Sequence, residues 1–401
     1  MNPTPTSFDA VIVGTGIAGM ACALALTRRG VRVSLLGPRA PLPEPAPGGF
    51  DPRVYAISPA SQRFLAELGV WGAIPAARIT PVEAMEVMGD QGGNVKLTAW
   101  QASQPALAHI VEGVELERAL RAALQVYGVP WTPSQFTGLV RRVGSHDQEL
   151  QTDSGQKLAC RLAVAADGAA SPLRAAAGLE SRRRDYDATG LVIHLNAGLS
   201  HQGSALQWFT PQGVLALLPM PDTHEGPQVS MVWSMPRALA AELQALPDAE
   251  RNARLQDMLA TATQERLGAL VPRSDLHGFP LSLQSAPRLA ANGVALVGDA
   301  AHVVHPLAGQ GLNLGLGDAH ALAEAVGGRE DYRSAGDERV LRRYQRARAE
   351  PVLSMRLATD GLYHLFNVPA TPAAWLRNAG MTLVDRIPFA KRLLIQRASD
   401  F

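Results

Sequence analysis

Apolar runs and polar breaks divide the start of the chain into a strand, a helix and a second strand. Residues 9–13 form a short apolar run of strand length, and an Ala- and Leu-rich stretch follows it as far as Gly30. Residues 31–36 are the next apolar run. This order predicts a βαβ unit at the start of an α/β protein.

The same reading predicts further strands and helices along the chain. Residues 82–87 and 95–99 flank a Gly-rich turn and predict a hairpin. Strands are predicted at 129–132, 138–143, 149–152, 162–166, 191–195, 205–210, 213–218 and 228–233, the last four antiparallel. Helices are predicted at 58–69, 236–270, 338–366 and 373–401. Ser58 is the expected N-cap of the first of these, with Pro59 at the first helical position.

A glycine-rich turn joins the first strand to the first helix. Its residues Gly14, Gly16 and Gly19 form a GxGxxG pattern in the strand–turn–helix setting that dinucleotide binding requires. Gly14 permits the tight turn, Gly16 lets a pyrophosphate approach the backbone, and Gly19 lets helix and strand pack closely. Together with Ile17 and Ala18 they form a predicted phosphate site at a helix N-terminus.

A second strand–loop–helix stretch, residues 293–317, reads GVALVGDAAHVVHPLAGQGLNLGLG. Asp299 follows the apolar run and can accept hydrogen bonds from sugar-alcohol hydroxyls. After a turn-rich loop, a helix begins near Leu312. Its free N–H groups near Gly311, Leu312 and Asn313 can stabilise negative charge on an electron-rich ring. The stretch therefore suits a large cofactor with a hydroxylated chain.

This pattern, GDAAH…P…GQGLNLG…DA, resembles the GD motif of the class A flavoprotein monooxygenases, and most of all that of the ubiquinone-biosynthesis hydroxylases. In that family the Asp meets the flavin ribityl chain, while the Pro and the Gly-rich loop border the isoalloxazine. The resemblance places Pro306, Gly311 and Leu312 at the reacting ring. It implies FAD contacts at Asp299, Pro306, Gly309, Gln310, Gly311, Leu312 and Asn313. The alternative is a crossover whose glycines only permit tight turns.

Two further motifs resemble the same hydroxylases. Residues 51–58 read DPRVYAIS, and the resemblance puts Arg53 beside the flavin and its phosphates; an ion pair with Asp51 is the alternative. Residues 167–174 match the DG motif, D-G-x-x-S-x-x-R, which the family links to flavin and nicotinamide binding. Asp167 is the carried-over contact there, and a helix-surface ion pair is the alternative for Arg174. Arg118 is a weaker candidate, with a solvent-facing side chain as its alternative.

One position departs from the dinucleotide-binding pattern. An acidic residue normally ends the second strand and binds the adenosine ribose, but Gly37 stands there. Either ribose affinity is weaker, or another group holds the ribose. Because the fold expects a carboxylate at this strand end, we expect Gly37→Glu to tighten FAD binding or leave it unchanged.

The resemblance implies a Rossmann-like FAD-binding domain, residues 1–75, 101–180 and 281–330, with an inserted antiparallel-sheet substrate domain, residues 76–100 and 181–280. A C-terminal helical segment covers 331–401.

The reaction that the resemblance implies is a monooxygenation in which NAD(P)H reduces FAD, O₂ adds at the flavin C4a, and one oxygen passes to an aromatic substrate, here a polyprenyl phenol. Two alternatives stay open: a flavin-dependent reductase or dehydrogenase, and a flavin-holding scaffold.

Five residues are candidates to line the substrate cavity: His194, Gln207, Trp208, Met220 and Trp233. Each of them, taken alone, is more typical of a core position.

Composition adds limits on partners and location. The formal net charge is +1, which gives no argument for nucleic acid binding, and no apolar run reaches the ~18 residues of a membrane span. His302 and His305 lack neighbours at metal-ligand spacing. We expect a cytoplasmic protein. Residues 375–397 are basic and amphipathic, so they predict either a helix packed on the nucleotide domain or a peripheral contact with anionic lipid.

Overall fold

The computed structural model of the protein describes residues 6–44, 48–89, 92–141, 147–304 and 311–367. These ranges fold into three sheets and the helices that cover them. Their strands, in chain order, are β1 (Thr6–Val13), β2 (Val33–Leu36), β3 (Val54–Ile57), β4 (Ile79–Val82), β5 (Ala84–Met88), β6 (Asn94–Thr98), β7 (Ala108–Glu112), β8 (Trp131–Thr132), β9 (Phe136–Arg141), β10 (Gln148–Thr152), β11 (Lys157–Ala165), β12 (Arg182–Ala197), β13 (Ser204–Thr210), β14 (Gly213–Thr223), β15 (Gly226–Pro236), β16 (Leu270–Pro272), β17 (His277–Ser285), β18 (Ala290–Ala291), β19 (Val294–Leu296) and β20 (His302–Val303). Their helices are α1 (Ile17–Arg28), α2 (Pro59–Glu67), α3 (Gly113–Val126), α4 (Pro172–Ala176), α5 (Arg237–Ala245), α6 (Asp248–Thr263), α7 (Gly311–Gly327) and α8 (Glu338–Asn367).

The first sheet is parallel at its centre and buried on both faces. Its order is β18-β19-β11-β1-β2-β8, and β10 and β9 extend it as antiparallel strands beside β11. β1 pairs in parallel with both β11 and β2, and its residues 10–13 are buried. A continuous apolar run is typical of a parallel strand that is covered on both faces. The predicted βαβ unit is confirmed by β1, α1 and β2.

The second sheet has the order β20-β17-β12-β15-β14-β13-β5-β6, with β16 beside β12. The predicted hairpin is confirmed by β5 and β6, and the predicted antiparallel strands by β12 to β15. One face of this sheet packs on α5 and α6 around the buried Trp233. Because side chains alternate along a strand, the opposite face is free to line a cavity.

The third sheet, β3-β7-β4, was not predicted. The chain after Asp51 forms β3 before α2 begins at Pro59, and Ala108–Glu112 forms β7 directly before α3. The predicted cap is confirmed, since the Ser58 side chain accepts a hydrogen bond from the Ser61 N–H. A four-residue strand is too short to show a period, so only its pairing with β7 defines β3.

A buried ion network fixes α7 and α8 beneath the first sheet. The Asp318 carboxylate is fully buried and accepts hydrogen bonds from Arg348 Nε at 2.7 Å, His302 Nε2 at 2.7 Å and the Gly298 N–H at 3.0 Å. His302 and Arg348 outweigh the effect of burial and lower the pKa of Asp318. Tyr344 of α8 donates to the Leu296 carbonyl at 2.6 Å. The network therefore holds the end of β19 in place from below.

The predicted α/β architecture with an antiparallel sheet and a helical C-terminal part is confirmed. We propose that the first sheet belongs to the FAD-binding domain and the second sheet to the substrate domain. Strands β17 and β20 then belong to the substrate domain, although the predicted bounds put residues 281–330 in the FAD-binding domain. Residues 375–397, predicted to contact lipid or the nucleotide domain, lie outside the described residues. Among the helices of the described ranges, none combines the length and apolar composition that a membrane span needs.

The ion network gives a stability prediction. Arg348→Met leaves the buried Asp318 carboxylate without its arginine partner, and breaking a buried pair costs about 3–5 kcal/mol. Urea denaturation at neutral pH should show this loss, whereas Arg346→Met, an exposed arginine of the same helix, should change the unfolding free energy little. Equal midpoints for the two variants would contradict the role of the network.

Candidate functional site

A cavity of about 970 Å³ lies where the three sheets meet. One end is formed by the turn between β1 and α1, by the chain after β11 and by the chain after β19. The other end lies on the face of the second sheet that α5 and α6 leave open. The cavity therefore joins a glycine-rich, partly charged end to an apolar end.

The β1–α1 turn shapes the glycine-rich end. Gly14 has φ +115°, and a Cβ there would lie 2.0 Å from the Ala166 carbonyl oxygen, while a Cβ on Gly19 would lie 2.3 Å from the Gly14 oxygen. A Cβ on Gly16 would meet nothing within 4 Å, and Gly16 is the N-cap of α1. The turn is thus closed towards the protein and open towards the cavity, as an anion site at a helix N-terminus requires. Ile17 and Ala18 line the cavity beside it.

Asp299 lies at the tip that follows β19, on a short 3₁₀ helix, Gly298–Ala300. Its side chain is accessible from the cavity although protein surrounds it, and burial raises the pKa of the carboxyl group, opposed by the charge of His302. Among the described residues no hydrogen bond to its carboxylate is found. Hydroxyl groups of a bound molecule would supply the donors that this carboxylate lacks.

The DG motif closes the same end from the side. The Asp167 carboxylate accepts hydrogen bonds from Oγ of Ser171, the N-cap of α4, and from the Leu173 N–H; burial raises the pKa of Asp167 against these bonds. Arg174 is buried and donates to the carbonyls of Ala300 and Ala169, both at 2.8 Å. The alternative of a helix-surface ion pair for Arg174 is wrong. This arginine instead ties the DG loop to the residue after Asp299.

Arg53 also lines the cavity, and its guanidinium Nη2 lies 4.0 Å from Glu117 Oε1. Asp51 does not supply the alternative ion pair, because its carboxylate accepts from the backbone N–H groups of Arg53 and Val114. Sequence reasoning missed Glu117, which belongs to no motif, and Tyr55, an unspecified position of the D-x-R-x-x-A pattern.

The structure brings together most, but not all, of the predicted site residues. Gly311 and Leu312 line the cavity at the start of α7. Asn313 is fully buried and does not; its amide accepts from the Ser58 N–H and donates to the Ala56 carbonyl, so it anchors α7. Arg118 does not line the cavity either, because its guanidinium turns to Glu115. Pro306, Gly309 and Gln310 lie outside the described residues.

Gly37 lines the cavity, but its backbone argues against a side chain. Its φ is +152°, and a Cβ would lie 2.9 Å from Thr15 Cγ2. The Gly37 carbonyl accepts from Trp131 Nε1 at 3.0 Å, which holds the backbone there. A glutamate at this position would be strained and would strike Thr15. This geometry argues against the expectation that Gly37→Glu tightens FAD binding or leaves it unchanged, and titration of the variant with FAD measures the effect.

The apolar end follows one row of paired residues across the second sheet. Gln207, Ala216, Val232 and Val192 are neighbours on β13, β14, β15 and β12, and all line the cavity. Of the other candidates, Trp208 and Trp233 lie in the core beneath α5 and α6, and Met220 packs in a small separate cluster. His194 is buried, with Nε2 2.9 Å from the Asp51 carbonyl oxygen, and burial lowers its pKa. In the described part of the chain, no group of side chains suits a metal ion.

Comparison with known proteins places this chain in a family. Residues 7–355 match the family described as "FAD binding domain". The chain is 33% identical to the 3-demethoxyubiquinol 3-hydroxylase of Escherichia coli over 99% of both chains, and 34% identical to the ubiquinone hydroxylase UbiL of Rhodospirillum rubrum over 97% of this chain and 89% of that one.

In fold, it is similar to the p-nitrophenol 4-monooxygenase PnpA of Pseudomonas putida DLL-E4, with a TM-score of 0.77, 19% identity and 99% of both chains covered. The predicted cofactor, FAD, is confirmed by the family match. The monooxygenase activity is confirmed by the relatives and the structural neighbours. The chain thus belongs to the FAD-dependent aromatic monooxygenases, among the ubiquinone-biosynthesis hydroxylases.

Proposed function

We propose that this enzyme hydroxylates the aromatic ring of a polyprenyl phenol in ubiquinone biosynthesis, with FAD, NAD(P)H and O₂. The observation that carries the proposal is one cavity that joins a glycine-rich turn at a helix N-terminus to an apolar sheet face. The relatives named as ubiquinone hydroxylases support this substrate class. An apolar end of this kind stabilises a hydrocarbon substituent by removing it from water.

The glycine-rich end fits FAD in its shape and its donor set. When bound and reduced by NAD(P)H, FAD supplies the oxygen activation that the side chains of this protein cannot. In our assignment the α1 N-terminus binds the pyrophosphate, Arg53 adds positive charge, Asp299 accepts from ribityl hydroxyls, and the start of α7 borders the ring. The cofactor contacts proposed for the described residues are Gly14, Gly16, Ile17, Ala18, Gly19, Arg53, Asp167, Asp299, Gly311 and Leu312.

The N-terminus of α7 contributes electrostatic stabilisation. The first N–H groups of this helix, at Gly311 and Leu312, have no partner within the helix, and the helix dipole places partial positive charge there. Negative charge that develops on a ring at the cavity is stabilised by such fixed groups without reorganisation. Asn313 keeps this helix start in position through its two backbone hydrogen bonds to the β3–α2 junction.

The apolar end positions the substrate and excludes water from the reacting ring. Gln207 stands out there as a buried carboxamide in a row of Ala and Val side chains. A carboxamide can donate to a phenol oxygen and accept from a phenol hydroxyl. We therefore assign Gln207 to recognition of the ring oxygen, while the surrounding apolar side chains bind the tail.

The activity test uses purified protein, NADH or NADPH, an alkyl-substituted phenol as probe, and ¹⁸O₂. We expect copurified or tightly rebinding FAD, probe-stimulated NAD(P)H oxidation and one ¹⁸O atom in the product. Substrate reduction or dehydrogenation without ¹⁸O would favour the reductase or dehydrogenase alternative. Bound FAD without any turnover would favour the scaffold.

Gln207→Met should reduce the preference of the site for a ring that carries a hydroxyl group over one that does not. We compare the binding of an alkylphenol with that of the matching alkylbenzene, by perturbation of the flavin spectrum. The wild type should favour the phenol, and the variant should lose roughly 2- to 10-fold of that preference, as expected for one neutral hydrogen bond. Gln228→Met is the control: this buried glutamine bonds Thr223 and Gly226 away from the cavity. An unchanged preference in Gln207→Met would remove the assignment.

Asp299→Ala should yield folded protein with little FAD. Losing a charge-assisted hydrogen bond costs about 1.5–3 kcal/mol, which corresponds to roughly 10- to 100-fold weaker binding. Flavin content after gel filtration and titration of the apoprotein measure this loss, and circular dichroism verifies the fold. Wild-type affinity in Asp299→Ala would show that the ribityl chain lies elsewhere.

A further inference from the structure

The glycine-rich end of the cavity lacks the acid that ordinarily binds the adenosine ribose, and the backbone at Gly37 accounts for this. Its φ of +152°, and the 2.9 Å that would separate a Cβ from Thr15 Cγ2, disfavour a side chain at the end of β2. If FAD is held by this end, a carboxylate from another element has to meet the ribose, or the ribose is bound without one.

Three carboxylates line the cavity in the described part of the chain: Asp167, Asp299 and Glu117. Asp167 already accepts hydrogen bonds from Ser171 and Leu173 at the start of α4. Asp299 lies at the tip after β19, on the far side of the α1 N-terminus from β2. Glu117 is the carboxylate that the assignments above leave unused.

Glu117 lies on α3 with its side chain 18% exposed, and it is held between two arginines. Arg53 Nη2 lies 4.0 Å from its Oε1, and Arg121 Nη2 lies 3.7 Å from its Oε2. Both arginines attract the carboxylate electrostatically, at distances beyond a direct hydrogen bond. Each carboxylate oxygen can accept more than one hydrogen bond, so acceptor capacity remains for a ligand.

A chain of contacts leads from Glu117 to the end of β2. Arg121 Nη1 donates to the Ala40 carbonyl at 2.6 Å, and its guanidinium lies 5.7 Å from the centre of the Trp131 ring. Trp131 Nε1 in turn donates to the Gly37 carbonyl. Through Arg121 and Trp131, helix α3 thus links a carboxylate of the cavity to the strand end that lacks one.

We propose that Glu117 replaces the missing strand-end acid and accepts hydrogen bonds from the adenosine ribose hydroxyls of FAD. This inference rests on the proposed binding of FAD in the cavity. Its consequence is selective, because only a flavin that carries adenosine can use the contact. Loss of one charge-assisted hydrogen bond weakens binding by roughly 10- to 100-fold.

The test measures the Kd of apoprotein for three flavins by fluorescence: FAD, FAD whose adenosine ribose lacks the 2′-hydroxyl, and FMN. In the wild type we expect FAD to bind roughly 10-fold or more tighter than its deoxy analogue. Glu117→Gln should weaken FAD, remove most of its advantage over the deoxy analogue, and leave FMN unchanged. Glu115→Gln is the matched control, since Glu115 is on the same helix but pairs with Arg118 and does not line the cavity.

Two results would overturn the proposal. Wild-type FAD affinity in Glu117→Gln is one. The other is an equal loss for FAD, the deoxy analogue and FMN in a variant whose melting temperature is unchanged, which would mean that Glu117 acts only by orienting Arg53 and Arg121. If the wild-type protein binds none of the three flavins, the proposed binding of FAD in this cavity is wrong. That result is distinguishable from the two results above, which concern Glu117 alone.

Discussion

The site depends on a junction where backbones pack without side chains between them. Gly14 sits against the Ala166 carbonyl at the end of β11, and Gly19 of α1 sits against Gly14. On the other side, a Cβ on Gly315 of α7 would lie 3.1 Å from the Gly298 Cα. This close approach brings the ends of β1, β11 and β19 and two helix N-termini to one point. Larger residues would separate these elements and open the cavity end that they form.

Beyond that junction, polar contacts of long sequence separation hold the parts together. Asp51 illustrates them: its N–H donates to Glu112, its carboxylate accepts at the start of α3, and its carbonyl oxygen lies 2.9 Å from His194 Nε2 of the second sheet. Asp318 of α7 likewise links distant parts of the chain, because its carboxylate accepts from Arg348 of α8, from His302 and from the Gly298 N–H after β19. The cofactor end and the apolar end are thus linked through single residues.

A large part of the fold and of the candidate site could be predicted from the sequence. The features that could not be predicted depend on contacts between residues far apart in the chain. The β1–α1 turn, the hairpin of β5 and β6 and the Ser58 cap each depend on residues close in the chain, so local patterns predict them. The sheet of β3, β7 and β4 depends on pairing between short segments far apart. Arg174 could not be assigned from the sequence, because its acceptor at Ala300 is 126 residues away.

Gly37 shows most clearly what could not be predicted from the sequence. The sequence indicates that an acid is missing, and the structure adds that the φ of this residue and its approach to Thr15 disfavour a side chain there. Glu117 has no motif of its own, since helix α3 is amphipathic and an acid on it reads as a solvated residue. Only the folded chain places that acid at the cavity.

The central claim is that one cavity holds FAD at its glycine-rich end and the aromatic substrate at its apolar end. A crystal structure of the protein with FAD and an alkylphenol tests it directly. The account predicts the pyrophosphate at the Gly16 backbone, the ribityl chain at Asp299, and the phenol ring between the flavin and Gln207. A flavin bound away from the β1–α1 turn, or a phenol outside the apolar row of the second sheet, would contradict it.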